Sequence, residues 1–221
     1  MNDNKIKDYW NKYYSKKKLT TKPSDFAKNV KKLIIGSKQV NLIDIGSGNF
    51  RDTFYFLQNG FSVSSLDINK QAYLDNKQVF SKYPEFRFIN KSISEINKIG
   101  QKKKFNIIYS RFFIHSINEL DEKRLHKWSF NSLEDKGYYC LEFRVDKDKR
   151  ILKYSTKKIN KNLYQFEEGH FRRLINPEQF LSNILKNKFI IKYVEISDKF
   201  SVVKLNGKTD NPILMRAILS K

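Results

Sequence analysis

A single cysteine, Cys140, is all the chain has, which excludes an intramolecular disulfide framework and a Cys-rich zinc site. Proline and glycine are scarce too, 4 and 8 in 221 residues, and none cluster. No Pro/Gly linker, internal repeat or low-complexity tract divides the chain. Its length suits one large domain or at most two small ones, and one domain over residues 1–221 is the simplest organisation. No apolar run approaches the ~18 residues of a membrane span. The opening stretch, MNDNKIKDYWNKYYSKKK, holds no apolar segment of the kind a secretory signal carries. A cytoplasmic protein is the expectation.

What is present is a large apolar fraction and a large positive charge. Hydrophobic residues make up 39%, with 18 Phe and 12 Tyr, enough to bury a core and to exclude wholesale disorder. The net charge is +21. A surplus of that size can mark a nucleic-acid or membrane binder. Its make-up weakens that reading: 35 of 44 basic residues are Lys, 9 are Arg, and Asn outnumbers Ala by 21 to 3. Lys, Asn and Ile have AT-rich codons, so genome composition explains much of the excess. Runs such as Lys16-Lys17-Lys18 and Lys102-Lys103-Lys104 read as solvated surface. The alternative is a functional basic face for nucleic acid or an anionic substrate.

Along the chain, apolar strands alternate with helices. Residues 40–45 form a buried strand that stops at Gly46-Ser47-Gly48. A helix over 51–59 is closed by Gly60. A strand at 61–67 precedes a helix at about 70–82 that stops before Pro84. Strands follow at 86–90 and 105–110, then a helix at 119–134, with Gly137 opening a strand at 138–144. After a helix at 177–187, two strands at 189–196 and 212–219 have no helix between them and read as an antiparallel hairpin. Segment 146–175 fits neither period and reads as a flap over the strand ends. The expected fold is α/β: a doubly wound, seven-stranded, mostly parallel sheet with a C-terminal antiparallel hairpin and helices on both faces.

In such a sheet, ligands bind outside the carboxyl ends of the strands. The loop Asp44-Ile45-Gly46-Ser47-Gly48-Asn49-Phe50-Arg51 lies there, and Asp67 ends the next strand, where a carboxylate can accept both hydroxyls of a ribose. A dinucleotide fingerprint wants a third glycine where Arg51 stands, and no GK[ST] makes a phosphate loop. Asp44, the GxG loop, Asp67 and the closing hairpin together resemble class I S-adenosylmethionine-dependent methyltransferases over about 40–220. The resemblance implies S-adenosylmethionine as cofactor, with S-adenosylhomocysteine as product. It implies cofactor contacts at Asp44, Gly46, Ser47, Gly48, Asp67, Ile68, Ser92, Ile93, Ser110 and Tyr14. Two positions depart from the family pattern: Phe50 stands where a third loop glycine is common, and Ser92 where an acidic residue often meets the adenine amine. Asn49-Phe50-Arg51-Asp52 resembles a GNGRD variant, which puts Arg51 near the methionine carboxylate or the substrate; a plain surface position is the alternative.

The N-terminal run YWNKYY, residues 9–14, holds four aromatics in six residues. The resemblance implies that residues 1–36 form a helical lid packed over the cofactor, with Tyr9, Tyr13 or Tyr14 near it and Tyr13 near substrate; simple packing of an amphipathic helix is the alternative. The loop after strand four, Ser110-Arg111-Phe112-Phe113-Ile114-His115, lacks the [DN]PP[YF] motif of base N-methylation. Segment 146–175 reads as a substrate-binding insertion. Its Gly169-His170-Phe171-Arg172-Arg173 resembles a stretch in methyltransferases of bacterial surface-polysaccharide and capsule clusters. Arg111, Arg172 and Arg173 suit a small anionic substrate, because guanidinium grips phosphate or carboxylate in two places; pairing with neighbours such as Glu167 is the alternative. His170 or His115 is the expected general base, unless the nucleophile is a phosphate oxygen that needs none. No ligand spacing supports a metal among Glu142, His115 and His170. His126 reads as surface and Cys140 as buried and inert. The competing readings are a small-molecule O-methyltransferase, an RNA methyltransferase using the basic surface, and a noncatalytic nucleotide-binding module.

Overall fold

A computed structural model describes residues 3–16, 19, 22–34, 39–99, 104–148, 150–202, 204–205, 208–209 and 211–221. Lys17, Lys18, Lys102 and Lys103 of the two lysine runs lie outside the described residues. The chain begins with α1 (Asp3–Ser15) and α2 (Asp25–Lys31). Then come β1 (Asn41–Ile45), α3 (Arg51–Gln58), β2 (Ser62–Asp67), α4 (Gln71–Asp75), α5 (Lys77–Phe80), β3 (Phe86–Asn90) and β4 (Phe105–Arg111). The second half holds α6 (Glu119–Ser132), β5 (Leu133–Arg144), α7 (Arg150–Tyr154), β6 (Lys157–Lys158), β7 (Leu163–Glu167), β8 (His170–Arg173) and α8 (Pro177–Lys186). It closes with β9 (Ile190–Ser197), β10 (Lys204–Leu205), β11 (Lys208–Thr209) and β12 (Leu214–Ser220).

Seven strands form one sheet in the order β3-β2-β1-β4-β5-β12-β9. The first five run parallel, and β12 lies antiparallel between β5 and β9. The expected architecture is therefore the observed one. Central strands are apolar because both faces are covered. On one face, Phe26, Ala27 and Val30 of α2 and Phe54, Phe56 and Leu57 of α3 pack on Leu42, Val63 and Ile107. On the other, Leu125 and Trp128 of α6 and Phe180 and Ile184 of α8 pack on Ile43, Ile108, Leu141 and Phe143.

Three elements differ from expectation. The helix at 70–82 is two short helices, α4 and α5, because Asn76 leaves the helical region at φ −117° and ψ 12°. Gly137 sits inside β5 rather than opening it; Leu133 pairs Phe105, and a bulge intervenes before Tyr138 pairs Ile107. Segment 146–175 is α7 and a small antiparallel sheet, β6-β7-β8. Its pairing partners are inside the segment, so it forms a folded flap of its own.

The N-terminal part also divides. α2 belongs to the core, its first turn capped by Ser24. α1 has no buried residue and lies across the carboxyl ends of the strands.

Candidate functional site

Beneath α1 lie two adjoining cavities of about 110 Å³ and about 270 Å³. Asp67, Ile68, Ser92, Ile93 and Phe113 line the first. Asp44, Ser47, Gly48, Asn49 and Arg51 line the second, with Tyr13. Tyr14, Gly46, Arg111 and Phe112 line both, so the two are compartments of one elongated cleft.

The glycine loop is built for close approach. Gly46 and Gly48 have φ of 76° and 59°. A Cβ on Gly46 would stand 2.3 Å from the Phe113 ring, and one on Gly48 would stand 2.5 Å from the Tyr14 hydroxyl. Phe50 is also left-handed, at φ 62°, although it has a side chain. Its fully buried ring packs on Phe80, Phe86 and Phe88. Burying a phenyl side chain contributes about 2–3 kcal/mol, which exceeds the roughly 1–2 kcal/mol of left-handed strain.

Two carboxylates flank this loop. Asp67 accepts from Gly48 N at 2.7 Å through Oδ2 and from Asn69 N at 2.8 Å through Oδ1. Each oxygen keeps a lone pair for a further donor. Burial pushes its carboxyl up to about 6 against the pull of backbone N–H groups from Asn69, Gly48 and Ile68. Asp44 is 3% exposed. Burial pushes it up to about 8, against the bond it accepts from Thr53 Oγ1 at 2.6 Å. A buried carboxylate in that state gains most from a cationic ligand. The free acceptor capacity of Asp67, the apolar slot of Ile68, Ile93 and Phe113 beside Ser92, and the buried carboxyl of Asp44 are chemically suited to the ribose, adenine and ammonium parts of S-adenosylmethionine.

α1 roofs this cleft with one helical face: Asp3, Ile6, Trp10 and Tyr14 line the first cavity. Asn11 Oδ1 accepts from Lys70 N at 3.0 Å, and Ser94 Oγ donates to Asp3 Oδ2 at 3.1 Å. These tie the lid to the sheet side. Lys5 pairs with Glu168 at 2.6 Å, and Tyr9 Oη bonds His170 Nδ1 at 2.9 Å. These tie it to the flap.

The flap strand β8 separates two arginines by alternation. His170 and Arg172, two residues apart, share one face. Arg172 donates to Ser116 Oγ and stands 5.6 Å above the Trp10 ring. No carboxylate pairs with it among the described residues, and burial pulls its guanidinium down to about 10, helped by Arg144. Arg173 points the other way, is 5% exposed, and donates to Glu122 and to the carbonyls of Ile117 and Ile114. The structure thus removes Arg173 from the expected substrate set and makes it the flap's anchor. Glu167 pairs with neither arginine among the described residues.

Arg111 is where the sequence places it, at the end of β4 and facing the cleft. Glu142, fully buried, accepts from Arg111 Nε and Arg216 Nε, both at 2.6 Å. One carboxylate shared by two guanidinium groups leaves a net positive charge facing the cleft. Ser110 departs from the expected cofactor set: it is 1% exposed and donates to Ile45 O at 3.0 Å, so it braces β4 against β1. Arg51 lines the second cavity with its Nε 3.5 Å from Asp52.

His115 is fully buried. Its Nδ1 accepts from Arg144 N at 3.3 Å, and burial beside Arg172 and Arg144 keeps the ring neutral. Its proton therefore sits on Nε2, which leaves no lone pair for the expected base role. His126 is a correction as well: at 1% exposed it is not surface, and it links Glu122 at 3.1 Å to Tyr139 Oη at 3.2 Å. The i, i+4 spacing from Glu122 was the available signal. Cys140 is buried. Tyr9 was missed as a partner of His170, since 161 residues separate them. Among the described residues, no group of three or more His, Cys, Asp or Glu is placed to hold a metal, and no helix is long and apolar enough to cross a membrane.

Comparison with known proteins bears on the fold. The CcbJ methyltransferase from Streptomyces caelestis superposes with a TM-score of 0.70 over 100% of this chain and 99% of that one, at 8% identity. An S-adenosylmethionine-dependent methyltransferase from Clostridium acetobutylicum gives 0.65 over 98% of each chain, at 16% identity. The glycopeptide N-methyltransferase MtfA complexed with S-adenosylmethionine gives 0.60 over 92% of this chain and 97% of that one, at 13% identity. The fold is thus the class I methyltransferase fold. No curated protein matches the chain in sequence. Residues 4–138 match the family model of the tellurite resistance protein TehB, and the chain belongs to that family.

Proposed function

We propose that the protein is an S-adenosylmethionine-dependent methyltransferase that O-methylates a small anionic acceptor. The observation that carries the cofactor is the pairing of Asp67 with the glycine loop: a carboxylate held by Gly48 N and Asn69 N, with acceptor capacity left for a ribose diol. Asp44 takes the ammonium, Ser92 the adenine edge, and Ile68 and Ile93 the adenine faces. S-adenosylmethionine supplies a methyl group activated on a sulfonium. The chain aligns the acceptor and excludes water, which is what an in-line displacement requires. α1 closes the cleft from solvent with Trp10 and Tyr14.

The anionic character of the acceptor rests on Arg172, a guanidinium with no carboxylate partner among the described residues, and on the net positive Arg111–Glu142–Arg216 group. A half-buried cation without a counter-ion is costly, and a bound anion relieves it. The short Gly169–Arg173 stretch supports a phosphorylated or nucleotide-linked precursor of a bacterial surface glycan. The family's description speaks of tellurite, itself an oxyanion, which makes tellurite the second acceptor to assay.

The test is calorimetric titration of wild type and Asp67→Ala with S-adenosylmethionine and S-adenosylhomocysteine. Micromolar binding is expected for wild type. The variant should bind about 10- to 100-fold more weakly, the worth of charge-assisted bonds. Folded wild-type protein that binds neither compound would sink the reading.

A further inference from the structure

The geometry points to an oxyanion seat made only of donors, His170 Nε2–H, His115 Nε2–H and the Arg172 guanidinium, in which the imidazoles hold the acceptor rather than deprotonate it. The inference rests on the proposed methyltransferase reading and gives its acceptor a class: a group already ionised at neutral pH, a phosphate, phosphonate or carboxylate oxygen.

Three observations converge. First, His115 and His170 each have a buried Nε2 with no partner among the described residues. Native structures rarely leave such atoms unsatisfied, so each one asks for an explanation. Second, the opposite ring nitrogen is engaged in both cases. His115 Nδ1 accepts from Arg144 N, which puts its proton on Nε2. His170 Nδ1 faces Tyr9 Oη at 2.9 Å, and the proposed seat takes the tautomer in which the phenol donates and His170 too presents Nε2–H. Third, the three groups meet. His170 and Arg172 project from one face of β8. The turn Ile114–Ser116 carries His115 and offers Ser116 to the Arg172 guanidinium. Trp10 and Ser116 line the first cavity, so the seat adjoins the cleft through them.

The surroundings are equally one-sided. Arg144 faces both imidazoles and is paired to Asp148. Phe166 stacks on His170 at 5.1 Å, and Tyr9 stacks on its other side at 4.7 Å. No carboxylate forms a hydrogen bond or ion pair with His115, His170 or Arg172 among the described residues, although Glu167 lies opposite His170 across the β7–β8 pair. Neutral imidazole N–H donors beside a guanidinium favour an anion and offer no group to take a proton. In the transfer itself, a lone pair on the anion's oxygen forms the new C–O bond as the S–CH₃ bond breaks to a thioether. The oxygen carries no proton to lose, so no base enters. Tyr9 is a positioning residue: standing on the lid, it completes the seat only when α1 is docked.

Glutamine separates a donor from a base, because its amide nitrogen stands where Nε2–H does and cannot accept a proton. Inorganic phosphate and acetate serve as probes, titrated calorimetrically in the presence of saturating S-adenosylhomocysteine; the stronger of the two distinguishes a phosphate from a carboxylate acceptor. Wild type should bind one of them. His170→Gln should stay within about threefold of wild type, while His170→Ala and Arg172→Met should weaken binding about 10- to 100-fold. Tyr9→Phe should weaken it several-fold and leave S-adenosylhomocysteine binding unchanged. Circular dichroism checks that each variant folds, and Tyr9→Phe keeps the test alive if Arg172→Met does not. The seat is refuted if His170→Gln is as impaired as His170→Ala, or if neither anion binds a wild type that holds S-adenosylhomocysteine. A wild type that binds anion but no cofactor would instead refute the methyltransferase reading.

Discussion

Asp44 illustrates how far one side chain can couple cofactor binding to pH. Its carboxyl is buried at the end of β1 and pushed up to about 8. A raised folded-state value means the folded chain holds a proton the unfolded chain has lost. The contribution to stability is full below the ordinary carboxylate range and is lost as pH rises towards 8. Asp67, pushed up to about 6, acts in the same direction over a lower window. Asp44→Asn should therefore raise the melting temperature at pH 8 and change it little at pH 4. A differential scan at the two pH values checks this; equal shifts at both would show that Asp44 is ionised in the fold. Bringing an ammonium beside Asp44 reverses the cost and expels the proton. Binding of S-adenosylmethionine near pH 7 should release up to about one proton, read from the calorimetric enthalpy in buffers of different ionisation heat.

At the scale of elements, the flap depends on a single buried charge. Arg173 of β8 reaches across to Glu122 of α6, and His126 holds the same carboxylate from the next turn. Removing one partner strands the other. Arg173→Ala should cost about 3–5 kcal/mol, the range for breaking a buried pair, measured by urea unfolding. Arg173→Met with Glu122→Gln should recover most of the loss. A single variant within about 1 kcal/mol of wild type would mean the flap is held by other contacts.

These elements also divide into what sequence reveals and what it hides. The strands of the main sheet were legible because burial on both faces leaves continuous apolar runs, and the turn at Gly46 and Gly48 because its left-handed backbone calls for glycine. The break at Asn76 was not legible, since its helical neighbours mask one residue leaving the helical region. The flap was hidden because β7 and β8 pair with each other while their faces divide between cleft and α6. Arg172 and Arg173 look alike in sequence, and only the alternation of β8 leaves one with Ser116 and no carboxylate partner among the described residues and gives the other Glu122. His126 and Tyr9 took their roles from contacts that no local pattern records.

Over the whole molecule, the charge of +21 becomes more lopsided at the surface than in the sequence. Among the described residues, six carboxylic residues, Asp44, Asp52, Asp121, Glu122, Glu142 and Asp148, are buried as against two arginines, Arg173 and Arg216. No described lysine is buried, so the exterior keeps its cations and loses part of their counter-charge. Such a surface repels itself and attracts polyanions without reading them. Association with generic RNA should accordingly be present at low salt and collapse by orders of magnitude between about 50 and about 200 mM, as counter-ion release dictates. Because Lys91 is the one described lysine that lines the cleft, Asp67→Ala should leave that association unchanged while it weakens cofactor binding about 10- to 100-fold. A filter-binding titration across the salt range decides the matter. Tight RNA binding that persists at about 200 mM salt, or that Asp67→Ala weakens in parallel with cofactor, would tie the basic surface to the reaction and return RNA to the set of acceptors.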